Sequence, residues 1–336
     1  MDFSLHKDFS EIPAAAWNTL VEQSIADTPF SRYEYISQWW KTLGGGEWQN
    51  VELVLVSARE GDELIGIAPL FLAEHDGQRA LMLVGSIEIS DYLDLIVREQ
   101  DLERFLSGLL DFAAATQNGW AGLDWYNIPD TSPTLAGLKA EAERRGWTHS
   151  EEVYRPTPRI PLSGSFEEYL ARIDKKQRHE IRRKMRRAAE SDKNVRFYIV
   201  NGTENLDSEI DAFFNLMIQS PEKELFLHPA MREQMNATLR DAHAHGYLWL
   251  GFLEVDGAKT AASLNFDYKN KLWGYNSGVS SEHRELSPGW VLLAHTIQWC
   301  CENGRYEFDF MRGDEEYKYR FGGVNKYVMR ARVTRP

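Results

Sequence analysis

Residues 308–323, Phe-Asp-Phe-Met-Arg-Gly-Asp-Glu-Glu-Tyr-Lys-Tyr-Arg-Phe-Gly-Gly, crowd cations, acids and glycines into one segment. A short strand predicted over 306–311 delivers that charge at its C-terminal end, a common way to build a ligand site. Arg312 and Lys318 could grip a phosphate or a carboxylate, Arg312 in a bidentate manner. Asp314 or Glu315 could take a proton from an amine or a hydroxyl. Tyr317 goes with them as a substrate contact. Just upstream, Ser287-Pro288-Gly289 sets a serine at a helix N-cap, a proline at the first helical position and an unhindered glycine after it. Backbone N–H groups at the positive end of a helix bind phosphate, and Arg284 would add a charge-assisted contact. An ordinary capped core helix is the alternative.

Two further groups are candidates. Ser90-Asp91-Tyr92-Leu93-Asp94 brings acids to a strand start, so Asp91 and Tyr92 could help form an acceptor cleft; a turn with capping acids is the other reading. Residues 175–187 hold eight Lys/Arg against one Glu. Such a run is a solvated helical arm, a surface for an anionic acceptor such as a nucleotide-linked sugar (with Arg178 and Arg182 in contact), or an RNA site. The net charge of −13 argues against general nucleic-acid affinity. His179, His243, His245 and His283 lack companions at metal-ligand spacing, so no metal is expected.

The elements that must carry these groups are written twice. Val51-Glu-Leu-Val-Leu-Val turns at Glu60-Gly61-Asp62 into a second strand and again at Asp76-Gly77. Tyr247-Leu-Trp-Leu-Gly-Phe-Leu turns at Asp256-Gly257 and again at Lys269-Asn270. A helix follows in each copy, over 102–116 and 288–302, with Asn118-Gly119 and Asn303-Gly304 as stops. Each is succeeded by a strand with an aspartate and then an aromatic, Asp124-Trp125 and Asp309-Phe310. Copies this far apart indicate duplicated domains rather than a solenoid. The aspartates shared by both copies suit a scaffold role, whereas residues 312–318 have little counterpart and suit function.

Three prolines in Arg155-Pro156-Thr-Pro158-Arg-Ile-Pro161 forbid helix and predict an extended crossover. The domains are accordingly expected at 1–157 and 158–336. Ser31 with Glu34 predicts a capping box for a helix over 32–42. Ser165 with Glu168 predicts one for a single long basic helix over 166–190. At 336 residues, 43% hydrophobic and 26% charged, the chain suits two soluble globular domains. No apolar run reaches membrane-spanning length. Cys300 and Cys301 are neighbours on a helix and cannot bond each other, and a cytoplasmic location is expected.

In their order and spacing, several motifs resemble those of GNAT acyltransferases of the CelD-like, cellulose-biosynthesis group. More distantly they are similar to FemAB-type peptidoglycan aminoacyltransferases. The motifs are Leu286-Ser-Pro-Gly-Trp-Val-Leu-Leu, Phe308-Asp-Phe-Met-Arg-Gly-Asp, Glu316-Tyr-Lys-Tyr-Arg-Phe-Gly-Gly, Lys176-Gln-Arg178 with Arg182-Arg183, Phe30-Ser-Arg-Tyr-Glu-Tyr, and Ser90-Asp91-Tyr92-Leu-Asp94. The resemblance implies tandem duplicated GNAT-like domains, each a mixed, mostly antiparallel α/β sheet flanked by helices. It also implies acetyl-CoA or another acyl-CoA as co-substrate, its pyrophosphate at Ser287, Gly289 and Arg284. No Arg/Gln-x-x-Gly-x-Gly/Ala loop is present, a departure from the family pattern.

Residues 272–278 then correspond to the strand whose backbone polarises the thioester, with Tyr275 protonating the departing thiolate or packing. Direct attack needs no covalent enzyme intermediate. The implied activity is acyl transfer to an amine or hydroxyl of a polysaccharide or cell-envelope precursor. An aminoacyl-tRNA-dependent transferase, which would make tRNA a partner, and a silent scaffold that binds sugar or a synthase partner are the alternatives.

Overall fold

The computed structural model describes residues 1–75, 77–87, 89–116 and 119–336. Asp76 and Asn118, expected at a turn and a helix stop, lie outside them. In chain order the strands are β1 (Asp2–His6), β2 (Gln49–Glu60), β3 (Glu63–His75), β4 (Gln78–Leu83), β5 (Ile96–Val97), β6 (Gly122–Pro129), β7 (Thr148–Pro156), β8 (Arg159–Pro161), β9 (Val195–Ile199), β10 (Leu248–Val255), β11 (Ala258–Tyr268), β12 (Lys271–Val279), β13 (Glu307–Asp309) and β14 (Tyr327–Thr334). The helices are α1 (Ala14–Val21), α2 (Tyr33–Leu43), α3 (Leu102–Thr116), α4 (Pro133–Arg145), α5 (Phe166–Arg172), α6 (Lys175–Ala189), α7 (Leu206–Met217), α8 (Pro221–Phe226), α9 (Pro229–Ala244), α10 (Pro288–Glu302) and α11 (Glu316–Arg320). None of them is long and apolar enough to cross a membrane.

Two compact units result. One comprises Met1–Pro156 with Tyr327–Pro336, the other Thr157–Lys326. The first sheet runs β1-β2-β3-β4-β6-β14-β7, with β5 paired to β3. The last strand of the chain is therefore a central strand of the first unit, where the sequence predicts it in the second domain. The reason is pairing: β14 is antiparallel to β6 on one side and to β7 on the other. The second sheet runs β8-β13-β12-β11-β10-β9. Both units share one device, a hairpin whose outer strand pairs in parallel with the strand after the next helix. The pairs are β4 with β6 and β12 with β13. Right-handed crossover through a helix is what permits such parallel neighbours. The fold is a tandem duplication of GNAT-like α/β domains.

The twin aspartates confirm the equivalence at the level of charge. Asp124 receives both arms of the Arg330 guanidinium from β14, at 2.8 and 2.6 Å. Asp309 meets Arg159 from β8 at 3.2 Å and Lys271 from β12 at 2.8 Å. In each unit an antiparallel neighbour supplies the arginine.

Two local expectations fail for identifiable reasons. Asp174 accepts from the amides of Lys176 and Gln177, and Ile173 before it is extended, so the long basic helix breaks into α5 and α6. A short carboxylate beside free amides competes with helix continuation. The box from Ser165 to Glu168 does form at the start of α5. The box expected from Ser31 to Glu34 does not: Arg32 is the N-cap of α2 and has no side-chain cap, while the Glu34 carboxylate receives Asn18 and Arg32.

In the first unit Asp94 is buried and accepts hydrogen bonds from Thr134 Oγ1 (2.6 Å), the Leu95 amide (2.8 Å) and Ser132 Oγ. Burial raises its pKa from the ordinary 3.8 to about 6, against the lowering effect of those donors. The folded state thus holds the proton more tightly than the unfolded chain. Its contribution is complete below the unfolded value and is lost as pH rises through about 6. That amounts to a term on the order of 3 kcal/mol. The stability difference between wild type and Asp94→Asn, read from urea midpoints of the first unit at pH 4 and pH 7, should change by this amount. Equal differences at both pH values would refute the assignment.

Candidate active site

Strand β12 and strand β13 pair only from Lys271 with Glu307 to Trp273 with Asp309. Beyond that point β12 continues to Val279, while the chain after Asp309 turns away, Phe310 N–H bonding the Pro158 carbonyl. The free edge of β12 opens into a notch. A bulge adds to it: Leu264 of β11 faces Asn276 and Asn265 faces Gly274, so Tyr275 stands outside the β11–β12 register. An extra residue of this kind re-aims local backbone groups and recurs beside active sites.

At the far end of β12 lies a cavity of ≈ 390 Å³ lined by Gln219, Val279, Ser280, Arg284, Ser287, Gly289 and neighbouring residues. Three residues expected at a phosphate site, Arg284, Ser287 and Gly289, therefore share one wall-lined space at the start of α10. The serine does not act as the sequence suggests. Ser287 is left-handed (φ 54) and its hydroxyl makes no capping bond. His283 is left-handed too, at φ 53. Strained non-glycine backbone of this sort is held only where its surroundings over-determine it. Ser287 O closes the first turn by accepting from Trp290 and Val291. Trp290 also lines the cavity, and its indole N–H is buried with no partner.

The basic helix touches this region, but through residues the sequence does not single out. Lys184 Nζ lies 4.0 Å from the Trp290 ring centroid, and Arg187 donates to the Glu285 carbonyl at 2.9 Å. Arg178, expected at the acceptor, instead donates to the carbonyls of Leu170 and Ala171 and so caps the end of α5. Arg182 pairs with Glu167. Both are used within the α5–α6 corner.

The loop after β13 divides the remaining candidates. Lys318 is 2% exposed, and its ammonium faces the carbonyls of Arg312 (2.7 Å), Gly313 (3.3 Å) and Met311 (3.4 Å) and the Glu315 carboxylate (2.9 Å). Four acceptors saturate three N–H donors. Lys318 is therefore a strut that holds the loop, in which Met311 itself is left-handed at φ 60, rather than a free grip for substrate. Arg312 is half-buried, Asp314 and Glu315 are exposed, and Tyr317 packs edge-on against Phe310 at 5.9 Å. Tyr275 is half-buried beside Phe266, at 5.2 Å. In the first unit Asp91 is half-buried, whereas Tyr92 is 2% exposed with its ring against Phe30. Tyr92 is a core residue, which corrects its place among the substrate contacts.

Lys223 of α8 is absent from the sequence expectations. Its Nζ donates to the Ser277 carbonyl at 2.5 Å, with Ser277 Oγ at 3.5 Å. A single lysine in Ser-Pro-Glu-Lys-Glu-Leu has no periodic or motif signal that could have marked it. Among the described residues no group of three or more His, Cys, Asp or Glu could hold a metal ion.

Residues 175–319 match the family model described as an acetyltransferase (GNAT) domain. The match falls within the second unit, which contains the notch and the cavity. Solved structures share the fold of the whole chain. FemX is 13% identical, with 98% of this chain and 97% of that one covered and a TM-score of 0.67. The C-terminal domain of a putative lysylphosphatidylglycerol synthetase from Agrobacterium fabrum is 12% identical, covering 96% and 91%, at 0.55. A tandem GNAT protein from the clavulanic acid biosynthesis pathway is 12% identical, covering 100% and 99%, at 0.51. At such identities the likeness is one of fold. No curated protein matches the chain by sequence. The GNAT domain and its fold support an acyltransferase.

Proposed function

We propose that this protein moves an acyl group, acetyl being the simplest, from acyl-CoA to an amine or hydroxyl by direct attack on the thioester. The observation that carries the proposal is the cavity at the start of α10, where Arg284, Ser287 and Gly289 converge. A pyrophosphate there would meet the Ser287 hydroxyl and the Arg284 guanidinium beside Gly289, at the positive end of α10. From that end the open edge of β12 runs back toward Tyr275, so a pantetheine arm along it would bring its thioester to the notch. Glu315 and Asp314 are the carboxylates available to accept the acceptor's proton. The acceptor is proposed to be a polysaccharide or cell-envelope precursor, met in the cytoplasm; the CelD-like motifs support this. Similarity to FemX over nearly the full length favours a second reading, an aminoacyl-tRNA donor.

Calorimetry decides between them. Acetyl-CoA should bind the wild type, and Arg284→Gln should weaken binding about 10- to 100-fold, the usual cost of one charge-assisted contact. Absence of heat at millimolar acetyl-CoA from folded protein, with binding of an aminoacyl-tRNA, would replace the first reading by the second.

A further inference from the structure

Lys223 lies where β12 has lost its neighbour. Its ammonium bonds the carbonyl of Ser277, whose strand partner Ser263 is on the opposite edge. Ser277 stands two residues, or ~7 Å, from Val279 at the cavity. A donor whose phosphates fill the cavity and whose arm follows the open edge must therefore pass the Lys223 ammonium. We propose that Lys223 is a catalytic residue of this site, its ammonium binding the thioester carbonyl oxygen and then protonating the departing thiolate. The proposal rests on the acyl-CoA reading above.

The chemistry balances. The acceptor nitrogen forms a bond to the carbonyl carbon, and the carbonyl electron pair moves onto oxygen beside the ammonium. Collapse breaks the C–S bond, and sulfur takes a proton from Nζ. The proton released by the acceptor passes to a carboxylate, Glu315 being the one that interacts electrostatically with Lys223, and the lysine is reprotonated from there or from water. The products are an amide and a thiol. Two features fit the lysine for this. Its contacts with Ser277 leave a donor for a ligand, whereas Lys318 has none to offer. Burial lowers its pKa from the ordinary lysine value, opposed by Glu315, which brings it closer to that of a thiol.

The test needs no acceptor. Acetyl-CoA labelled at the carbonyl is bound to wild type, Lys223→Met and Lys223→Arg, and its carbonyl stretch is read by difference infrared spectroscopy. The expected result is a shift to lower frequency in wild type, lost in Lys223→Met and partly kept in Lys223→Arg, with binding by Lys223→Met weakened about 10-fold yet still saturable. Saturable binding also reports that the variants fold; should Lys223→Met not fold, Lys223→Gln serves the same comparison. An equal shift in the lysine-free variant, or no shift in wild type, overturns the assignment and leaves the acyl-CoA reading standing. A folded wild type that binds no acetyl-CoA overturns both.

Discussion

Deleting Tyr327–Pro336 should unfold the first unit while the second keeps its structure. In these ten residues, β14 supplies the strand between β6 and β7, with Val328, Ala331 and Val333 in the first unit's core. Both edges of β14 are hydrogen-bonded, and Arg330 neutralises the buried Asp124. The fit is close enough that a Cβ on Gly122 would stand 2.0 Å from the Val333 carbonyl. Two buried valines at ~1.5–3 kcal/mol each and an alanine at about 0.8, plus two edges of backbone hydrogen bonds at about 1 kcal/mol per bond, rival the whole 5–15 kcal/mol stability of a domain. Hydrogen exchange read by mass spectrometry checks it. Amides of β6 and β7 should lose protection in the truncated chain, and those of β10, β11 and β12 should retain it. Persistent protection of β6 would show that the first sheet is complete without its last strand. The exposed edges also predict aggregation of the truncated chain.

Asp309→Ala should destabilise the second unit by ~3–5 kcal/mol, the cost of removing one partner from a buried ion pair. Asp309 is 0% exposed, and its carboxylate lies 2.8 Å from Lys271 Nζ and 3.2 Å from Arg159 Nε and accepts from the Met311 amide at 2.8 Å. Lys271, itself buried, would be left with Glu307 at 2.7 Å as its carboxylate partner. For a unit of this size the loss corresponds to a fall in melting temperature on the order of 10 °C. Calorimetric melting separates a scaffold from a catalyst. A scaffold aspartate lowers the melting temperature yet leaves acetyl-CoA affinity near wild type below it. Unchanged melting with lost activity would move Asp309 into the chemistry. Asp124→Ala should behave alike in the first unit, since Arg330 would lose its bidentate partner.

Much of this was legible because it is local. Asp256 and Gly257 turn β10 into β11 with φ of 52° and 83°, and Lys269 and Asn270 turn β11 into β12 at 52° and 56°, conformations that Asp, Gly and Asn favour. Ser165 closes its box three residues on. Ser287-Pro288-Gly289 is contiguous, so the start of α10 is legible, and with Arg284 it supplies three residues of the cavity there; Gln219 and Ser280 are not marked by the sequence. The twin Asp-aromatic strands exposed the duplication for the same reason. The failures share a different cause. Arg178 and Arg182 read as free cations in the sequence because nothing local shows that α5 ends beside them, and Tyr92 reads as a loop residue because its packing partner Phe30 lies far away in the chain. The charge of Lys318 suits a grip on substrate, yet the turn of the chain through Arg312 and Gly313 surrounds its ammonium with carbonyls.

The amino-acid sequence by itself determined the alternation of strands and helices, the duplication and the start of α10, because each is set by propensities within a few residues. Tertiary structure alone decided which sheet receives residues 327–334, that β12 and β13 part company after Trp273, and that Lys223 stands in the resulting gap. Those outcomes depend on pairings between segments far apart in the chain, whose energies appear only when both partners are in place. The charged segment 308–323 shows the division most plainly: its composition marks a candidate site, and only packing separates the strut at Lys318 from the exposed acids beside it.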